Sequence, residues 1–214
     1  MSDPKCIVFV VDDDPLVRDS VADLLGSAGF AAQTFGSATQ FIQAKRPDAS
    51  ACLILDVELP DLSGLDLQAH LTKSGIEVPI IFLTGHGDIP KSVRAMKAGA
   101  VEFLTKPFRT EELVDAVRQA LVRDEDLRMQ RSETLELRER LGTLTPRERQ
   151  VLTLVVAGRL NKQTAGELGT TELTIKVHRG RVMRKMKAAS LADLVRMAQK
   201  LKISPPQTSS TKVE

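Results

Sequence analysis

Four short apolar runs in this chain end on, or within two residues of, side chains suited to phosphate chemistry. Residues Cys6 to Val11 run into Asp12-Asp13, and Ala51 to Leu55 stop at Asp56. Val78 to Leu83 stop at Thr84, and Val101 to Thr105 lead into Lys106-Pro107. Adjacent carboxylates can both reach a ligand only where a strand runs out. Clustered with Asp56, they are costly unless a cation or a proton intervenes. Mg²⁺ fits such a cluster, because it takes oxygen ligands and keeps open positions that phosphoryl oxygens can fill. Asp56 can then act as a nucleophile and form an aspartyl phosphate. Lys106 would pair with one phosphoryl oxygen and Thr84 would donate a hydrogen bond to another. The protein's part is positioning and charge neutralisation. Taken singly, each polar residue reads as a strand terminator; taken together, the set reads as one metal-assisted phosphoryl site.

Such a site needs a fold that brings four strand ends together. Continuous apolar runs of this length predict strands buried on both faces of a parallel sheet. In a doubly wound sheet the strand C-termini share one edge, where ligands bind. Between the strands lie helix signals. Asp14-Pro15 opens a helix with Leu16, Val17, Val21, Leu24 and Leu25, and Ser37 caps one carrying Phe41 and Ile42. Further helices are predicted at about 65–72 and 89–98, and one capped by Thr110. A short strand is expected near Ala31–Thr34. Five βα units in residues 1–122 predict a flavodoxin-like (βα)5 domain.

Residues 123–140 are rich in Arg and Glu and hold neither Gly nor Pro, so they predict a continuous, exposed helical linker. From Leu141 the pattern is helical only. Thr145-Pro146-Arg147-Glu148 resembles a capping box, Asn161 is expected to cap a short helix, Thr171 a longer one and Ser190 the last. Short helix, Gly-containing turn and long basic helix form the layout of a small all-α helix-turn-helix domain over 141–203. Residues 204–214 are polar, contain Pro205-Pro206 and read as a disordered tail.

The formal charge of +2 hides an asymmetry. Residues 1–122 carry −6, 123–140 carry −1 and 141–203 carry +9. An acidic front and a basic back suit a regulated nucleic-acid binder. With Ile175, Val182 and Met186 as the buried stripe of the long helix, the opposite face carries Lys176, Val177, Gly180 and Arg184, flanked by Arg181 and Lys187. That face can lie in a major groove. No run reaches membrane-spanning length, no basic start with an apolar stretch marks export, and Cys6 and Cys52 read as core residues of a cytoplasmic protein.

Residues 1–122 resemble the receiver domain of bacterial two-component response regulators. The shared motifs are Val11-Asp12-Asp13, Leu55-Asp56 with Pro60 and Gly64, Leu83-Thr84-Gly85 and Lys106-Pro107-Phe108. The resemblance implies Asp56 as phosphoacceptor, Asp12, Asp13 and Asp56 with the backbone carbonyl of Glu58 as Mg²⁺ ligands, Thr84 and Phe103 as a switch pair, and a cis Lys106-Pro107 bond. Gly85-His86-Gly87-Asp88 resembles the FixJ-like branch, with His86 either a proton relay or a solvent-exposed loop residue. Residues 141–203 are similar to the LuxR-type helix-turn-helix of the FixJ/NarL regulators. They share Leu144-Thr145-Pro146-Arg147-Glu148, Asn161-Lys162, Glu167-Leu168-Gly169 and Thr174-Ile175-Lys176-Val177-His178. By position, Lys176, Val177 and Gly180 fall where the family reads bases; Asn161, Lys162 and Thr174 fall where it contacts phosphate. Leu59, Thr164, Gly166, Thr170 and Gly180 depart from the commoner residues.

The implied partners are a sensor histidine kinase, double-stranded DNA, a second copy of the chain on phosphorylation, and RNA polymerase. The implied chemistry is self-phosphoryl transfer and autodephosphorylation at Asp56, with no other enzymatic activity. The rival readings are an aspartate-based phosphohydrolase using Asp12-Asp13-Asp14, a phosphorylation-independent DNA binder, and an RNA-binding output.

Overall fold

The computed structural model describes residues 6–85 and 89–203. His86, Gly87, Asp88 and the tail from residue 204 lie outside the described residues, as do the expectations attached to them. The described chain forms two compact units, Met1–Met129 and Gln130–Glu214.

In the first unit, β1 (Cys6–Val11), β2 (Ala31–Phe35), β3 (Ser50–Asp56), β4 (Ile80–Thr84) and β5 (Glu102–Thr105) form one parallel sheet in the order β2-β1-β3-β4-β5. Helices α1 (Pro15–Ser27), α2 (Ala38–Gln43), α3 (Gly64–Lys73), α4 (Ile89–Lys97) and α5 (Thr110–Gly142) alternate with the strands. This is the doubly wound α/β fold that the apolar runs imply. Alternation along each strand builds two cores. Phe9, Val11, Leu53, Leu55 and Phe82 face one side with Phe35, Phe41 and Leu67. Val8, Val10, Cys52, Ile54, Ile81 and Leu83 face the other with Val21, Leu25, Leu113 and Val117. Each such side chain, fully buried, stabilises the fold by roughly 1.5–3 kcal/mol. Strands β1, β3 and β4 are buried on both faces, whereas the edge strand β5 is only half-buried. Cys52 is buried and Cys6 half-buried, both as free thiols.

Local chemistry starts and stops the helices. The Asp14 carboxylate accepts from Leu16 N at 2.9 Å ahead of Pro15, and Ser37 Oγ accepts from Gln40 N at 3.2 Å. Thr110 is the first residue of α5 rather than its cap. The chain enters through Arg109, whose carbonyl accepts from Leu113 N and whose N–H donates to Glu112 Oε2 at 3.3 Å.

Helix α5 runs unbroken through the predicted linker. It is less exposed there than composition implies: Asp124 and Leu137 are buried. In the first unit, Asp124 accepts from Ala51 N at 2.9 Å, and Arg128 donates to Ala49 O at 3.2 Å and pairs with Asp48.

The second unit holds the end of α5 with α6 (Pro146–Val156), α7 (Asn161–Glu167), α8 (Glu172–Met186) and α9 (Leu191–Lys200). Val151, Leu152, Val155, Ile175, Val182, Met186 and Leu194 form its core. Thr145 and Glu148 make the reciprocal capping box: Glu148 N donates to Thr145 Oγ1 at 3.3 Å and Thr145 N to Glu148 Oε2 at 2.9 Å. Thr171 and Ser190 cap α8 and α9. Asn161 does not cap α7; it is the first helical residue, and Leu160 precedes it with its N–H on Gln163 Oε1 at 2.9 Å. Asn161 Oδ1 accepts from Arg179 Nη1 at 2.8 Å instead. Among the described residues no helix is long and apolar enough to cross a membrane.

Candidate functional site

Strand register assembles the first site. Val11 pairs with Leu55, so Asp12 and Asp56 leave neighbouring strands at the same level. Asp56 pairs with Leu83, and Thr84 with Thr105, so Thr84 and Lys106 follow along the same edge. Asp12, Asp13 and Asp56 each present a carboxylate oxygen within 4.8 Å of the others. Lys106 Nζ donates to Asp12 Oδ2 and to Asp56 Oδ2, both at 2.6 Å. The second oxygens are fixed by backbone: Asp12 Oδ1 accepts from Asp14 N at 3.0 Å, and Asp56 Oδ1 from Glu58 N at 2.9 Å. Asp12 and Asp56 are buried, while Asp13 is exposed.

One ammonium faces three carboxylates. Burial raises the pKa of Asp12, with the Asp56 charge adding; the Lys106 and Asp14 N–H hydrogen bonds pull it back without cancelling the rise. Burial by itself would lower Lys106, but its bonds to the two carboxylates outweigh that and hold it upward, as an ammonium. The negative charge in excess, presented by hard oxygen donors at the solvent edge, suits a divalent cation with open positions.

Thr84 is buried, and its carbonyl accepts from Lys106 N at 2.7 Å. Phe103 is half-buried, its ring 6.1 Å from that of Phe82. The Lys106-Pro107 bond is cis. Glu58 is exposed, and its carboxylate meets Lys91 Nζ at 3.2 Å. Gly64 is required by close approach: a Cβ there would stand 2.2 Å from the Asp56 carbonyl oxygen.

Two supports escaped the sequence reading. Arg18 Nη1 donates to the carbonyls of Asp12 at 2.6 Å and Asp13 at 3.0 Å, clamping the turn that carries both carboxylates. Asp61 ties the loop after Asp56 to the start of α2, accepting from Thr39 Oγ1 at 2.7 Å, Thr39 N at 2.9 Å and Ala38 N at 3.3 Å. These bonds, led by the Thr39 hydroxyl, lower the Asp61 carboxyl to about 2. Arg18 is in the first turn of α1, six positions after Asp12, a spacing that could have flagged it. Asp61 carries no local signal.

The second site is the surface of α8. Lys176, Val177, Gly180, Arg181 and Arg184 are exposed on the side away from Ile175, Val182 and Met186. Lys162 is exposed on α7. Thr174 is half-buried, with its hydroxyl 2.9 Å from that of Thr171, so Thr174 and Asn161 are both engaged within the fold. Lys185 is likewise committed, to Glu148 Oε2 at 2.6 Å and Thr143 O at 3.0 Å.

A parallel five-stranded receiver-like domain with an acidic strand-end pocket, followed by a helix-turn-helix unit with a basic helix, defines a two-component regulator that acts on DNA. Residues 8–118 match the response regulator receiver domain, and residues 142–198 match the LuxR family of bacterial regulatory proteins. The chain belongs to the FixJ-type response regulators, transcriptional regulators rather than enzymes in the ordinary sense. It is 52% identical to nodulation protein W of Bradyrhizobium diazoefficiens over 98% of this chain and 92% of that protein. Among solved structures it is similar to the response regulator StyR, at 48% identity and TM-score 0.76, covering 92% of this chain and 99% of the other. Full-length FixJ from B. japonicum is 38% identical with TM-score 0.56, over 94% and 98% of the two chains.

Proposed function

We propose that the chain is a phosphorylation-controlled transcriptional regulator in which Asp56 accepts a phosphoryl group from a sensor histidine kinase. A carboxylate oxygen of Asp56 attacks phosphorus, the P–N bond of the phosphohistidine breaks, and the imidazole leaves and takes up a proton. Asp12, Asp13, Asp56 and the carbonyl of Glu58 would hold Mg²⁺, which supplies charge neutralisation for the phosphoryl oxygens. Lys106 moves from its two carboxylate partners to a phosphoryl oxygen. Thr84 donates to another, and Phe103 turns into the space that Thr84 vacates. The observation that carries this reading is the Lys106 ammonium, bonded at 2.6 Å to both Asp12 and Asp56 inside a three-carboxylate cluster.

The switched form pairs with a second copy, and two basic domains engage two half-sites about one helical turn of DNA, or a multiple of it, apart. Lys176, Val177 and Gly180 face base edges, and Arg181, Arg184 and Lys162 face phosphate; Asn161 and Thr174, placed at phosphate by their position in the motif, would reach it only by giving up their bonds to Arg179 and Thr171. We read 1–122 as the receiver, 123–140 as a helical linker and 141–203 as the DNA-binding domain; the matched spans 8–118 and 142–198 fall inside the first and last. A DNA partner fits a cytoplasmic protein that meets RNA polymerase at a promoter.

The test is a gel-shift titration with Mg²⁺ and acetyl phosphate, comparing the native chain with Asp56→Ala. Phosphodonor should tighten binding by the native chain alone, with mass spectrometry finding phosphate on Asp56. Equal affinity in every condition would favour the phosphorylation-independent reading.

A further inference from the structure

Among the exposed large apolar side chains, Leu173 stands out by its neighbours. It is 72% exposed, Val177 is 47% exposed, and the two are four residues apart on α8. At about 100° per residue, Leu173, Val177, Gly180 and Arg184 fall within about 60° of one another. Ile175, Val182 and Met186, all buried, lie on the opposite side. Lys176 and Arg181, both exposed, border the stripe on its two flanks.

An isolated exposed leucine needs no explanation. This one belongs to an apolar pair in the first turns of the helix that a helix-turn-helix protein lays in the major groove, where the N-terminal residues meet base edges. The flanking cations select a polyanion over a basic or apolar protein surface. On the floor of the major groove, the C5-methyl of thymine is the apolar group. Gly180 adds a second observation. A Cβ at that position would meet nothing within 4 Å among the described residues, so no close approach among them calls for glycine. Yet glycine within a helix costs about 1 kcal/mol against Ala. Its lack of a side chain leaves the groove floor free to come up against Leu173 and Val177.

We propose that Leu173, together with Val177, forms an apolar contact that reads thymine methyl groups, making Leu173 a specificity-determining residue of the DNA interface. The inference rests on the DNA-binding reading of α8 and adds to it a base preference: thymine at the position in each half-site opposite the N-terminal turn of α8. Lys176 and the arginines fix register and affinity through phosphate and guanine edges. The apolar pair discriminates by burying methyl groups that cytosine and adenine do not offer.

The experiment uses the full chain treated with Mg²⁺ and acetyl phosphate. Bound duplexes are selected from a randomised pool, and each thymine of the resulting half-site is replaced in turn by deoxyuridine, which deletes only the C5-methyl. At one or two positions per half-site the native chain should lose affinity about fourfold per methyl. In Leu173→Ala that loss should vanish at one of these positions, because thymine and uracil become equivalent there. Leu173→Met should retain it. Thermal unfolding of both variants should match the native chain, since the side chain is exposed.

If uracil substitution weakens binding nowhere, or weakens native and Leu173→Ala binding equally at every position, the inference is overturned while DNA binding stands. If neither protein retains any duplex, the DNA-binding reading of α8 fails and the inference fails with it.

Discussion

Replacing Gly64 with Ala tests the claim that the acidic pocket is held from behind by backbone contact. The Cβ would lie 2.2 Å from the Asp56 carbonyl oxygen, 3.1 Å from the Asp56 carbonyl carbon and 3.2 Å from Leu55 Cγ. Real Cβ atoms essentially never come closer than 3.0 Å. The strain cannot be relieved by a rotamer change, because the nearest atom is backbone. Either the end of β3 or the start of α3 has to move. Gly64 N also donates to Val57 O at 3.0 Å, so displacing α3 breaks a hydrogen bond as well. Overpacking of this kind costs about 1–3 kcal/mol. If Asp56 shifts by about 1 Å from Lys106 and the other carboxylates, phosphorylation should slow by about 10². Gly26→Ala is the control of opposite sign: it lies in α1, an added Cβ would meet nothing within 4 Å among the described residues, and Ala there should stabilise by roughly 0.5–1 kcal/mol. Thermal unfolding by circular dichroism and the rate of aspartyl phosphate formation from acetyl phosphate read both effects. If Gly64→Ala unfolds with the native chain and phosphorylates at the native rate, the contact does not position Asp56.

Three further outcomes follow from the same geometry. Thr164 is fully buried and its hydroxyl has no hydrogen-bond partner among the described residues, so Thr164→Val should stabilise the second unit by about 1 kcal/mol or more, seen as a rise of about 4–8 °C in the midpoint for a unit of that size; a fall would mean that the hydroxyl is bonded. Glu148 is held below its ordinary 4.5 by the Lys185 ammonium first and by the Thr145 N–H next. A folded pKa below the unfolded one gives stability that is complete above about 4.5 and lost as pH falls through the lower value. The difference in thermal midpoint between native chain and Glu148→Gln should therefore shrink from pH 6 to pH 3, and a difference independent of pH would show that ionisation is irrelevant. Lys106→Met removes the ammonium that occupies Asp12 and Asp56, so calorimetry should find Mg²⁺ bound more tightly while aspartyl phosphate forms about 10²-fold more slowly; weaker Mg²⁺ binding would mean that Lys106 organises the pocket instead of competing for it.

The sequence carried the parts of this protein that depend on short-range physics. Apolar runs ending at Asp12, Asp56, Thr84 and Lys106 identify strands because a buried strand must end where polar groups can reach water. Asp14-Pro15, Ser37, Thr145, Thr171 and Ser190 identify helix starts because a short polar side chain bonds N–H groups two or three residues on. The same local logic misassigned Asn161 and Thr110. Asn161 answers to Arg179, eighteen residues away, and the chain before Thr110 is held by Arg109 and Glu112. Composition made residues 123–140 look like bare surface, yet Asp124 is buried where β3 begins, because an unpaired strand N–H at Ala51 needs an acceptor.

Tertiary structure alone decided which strands are neighbours and in what register. That pairing sets Lys106 against Asp12 and Asp56, residues 94 and 50 positions away. It also closes Gly64 on the Asp56 carbonyl and brings Asp61 to the start of α2. Residue types and periodicity encode which groups are present and which way each local segment turns. Distances between groups far apart in sequence come from packing two cores against one sheet, and no local pattern records them.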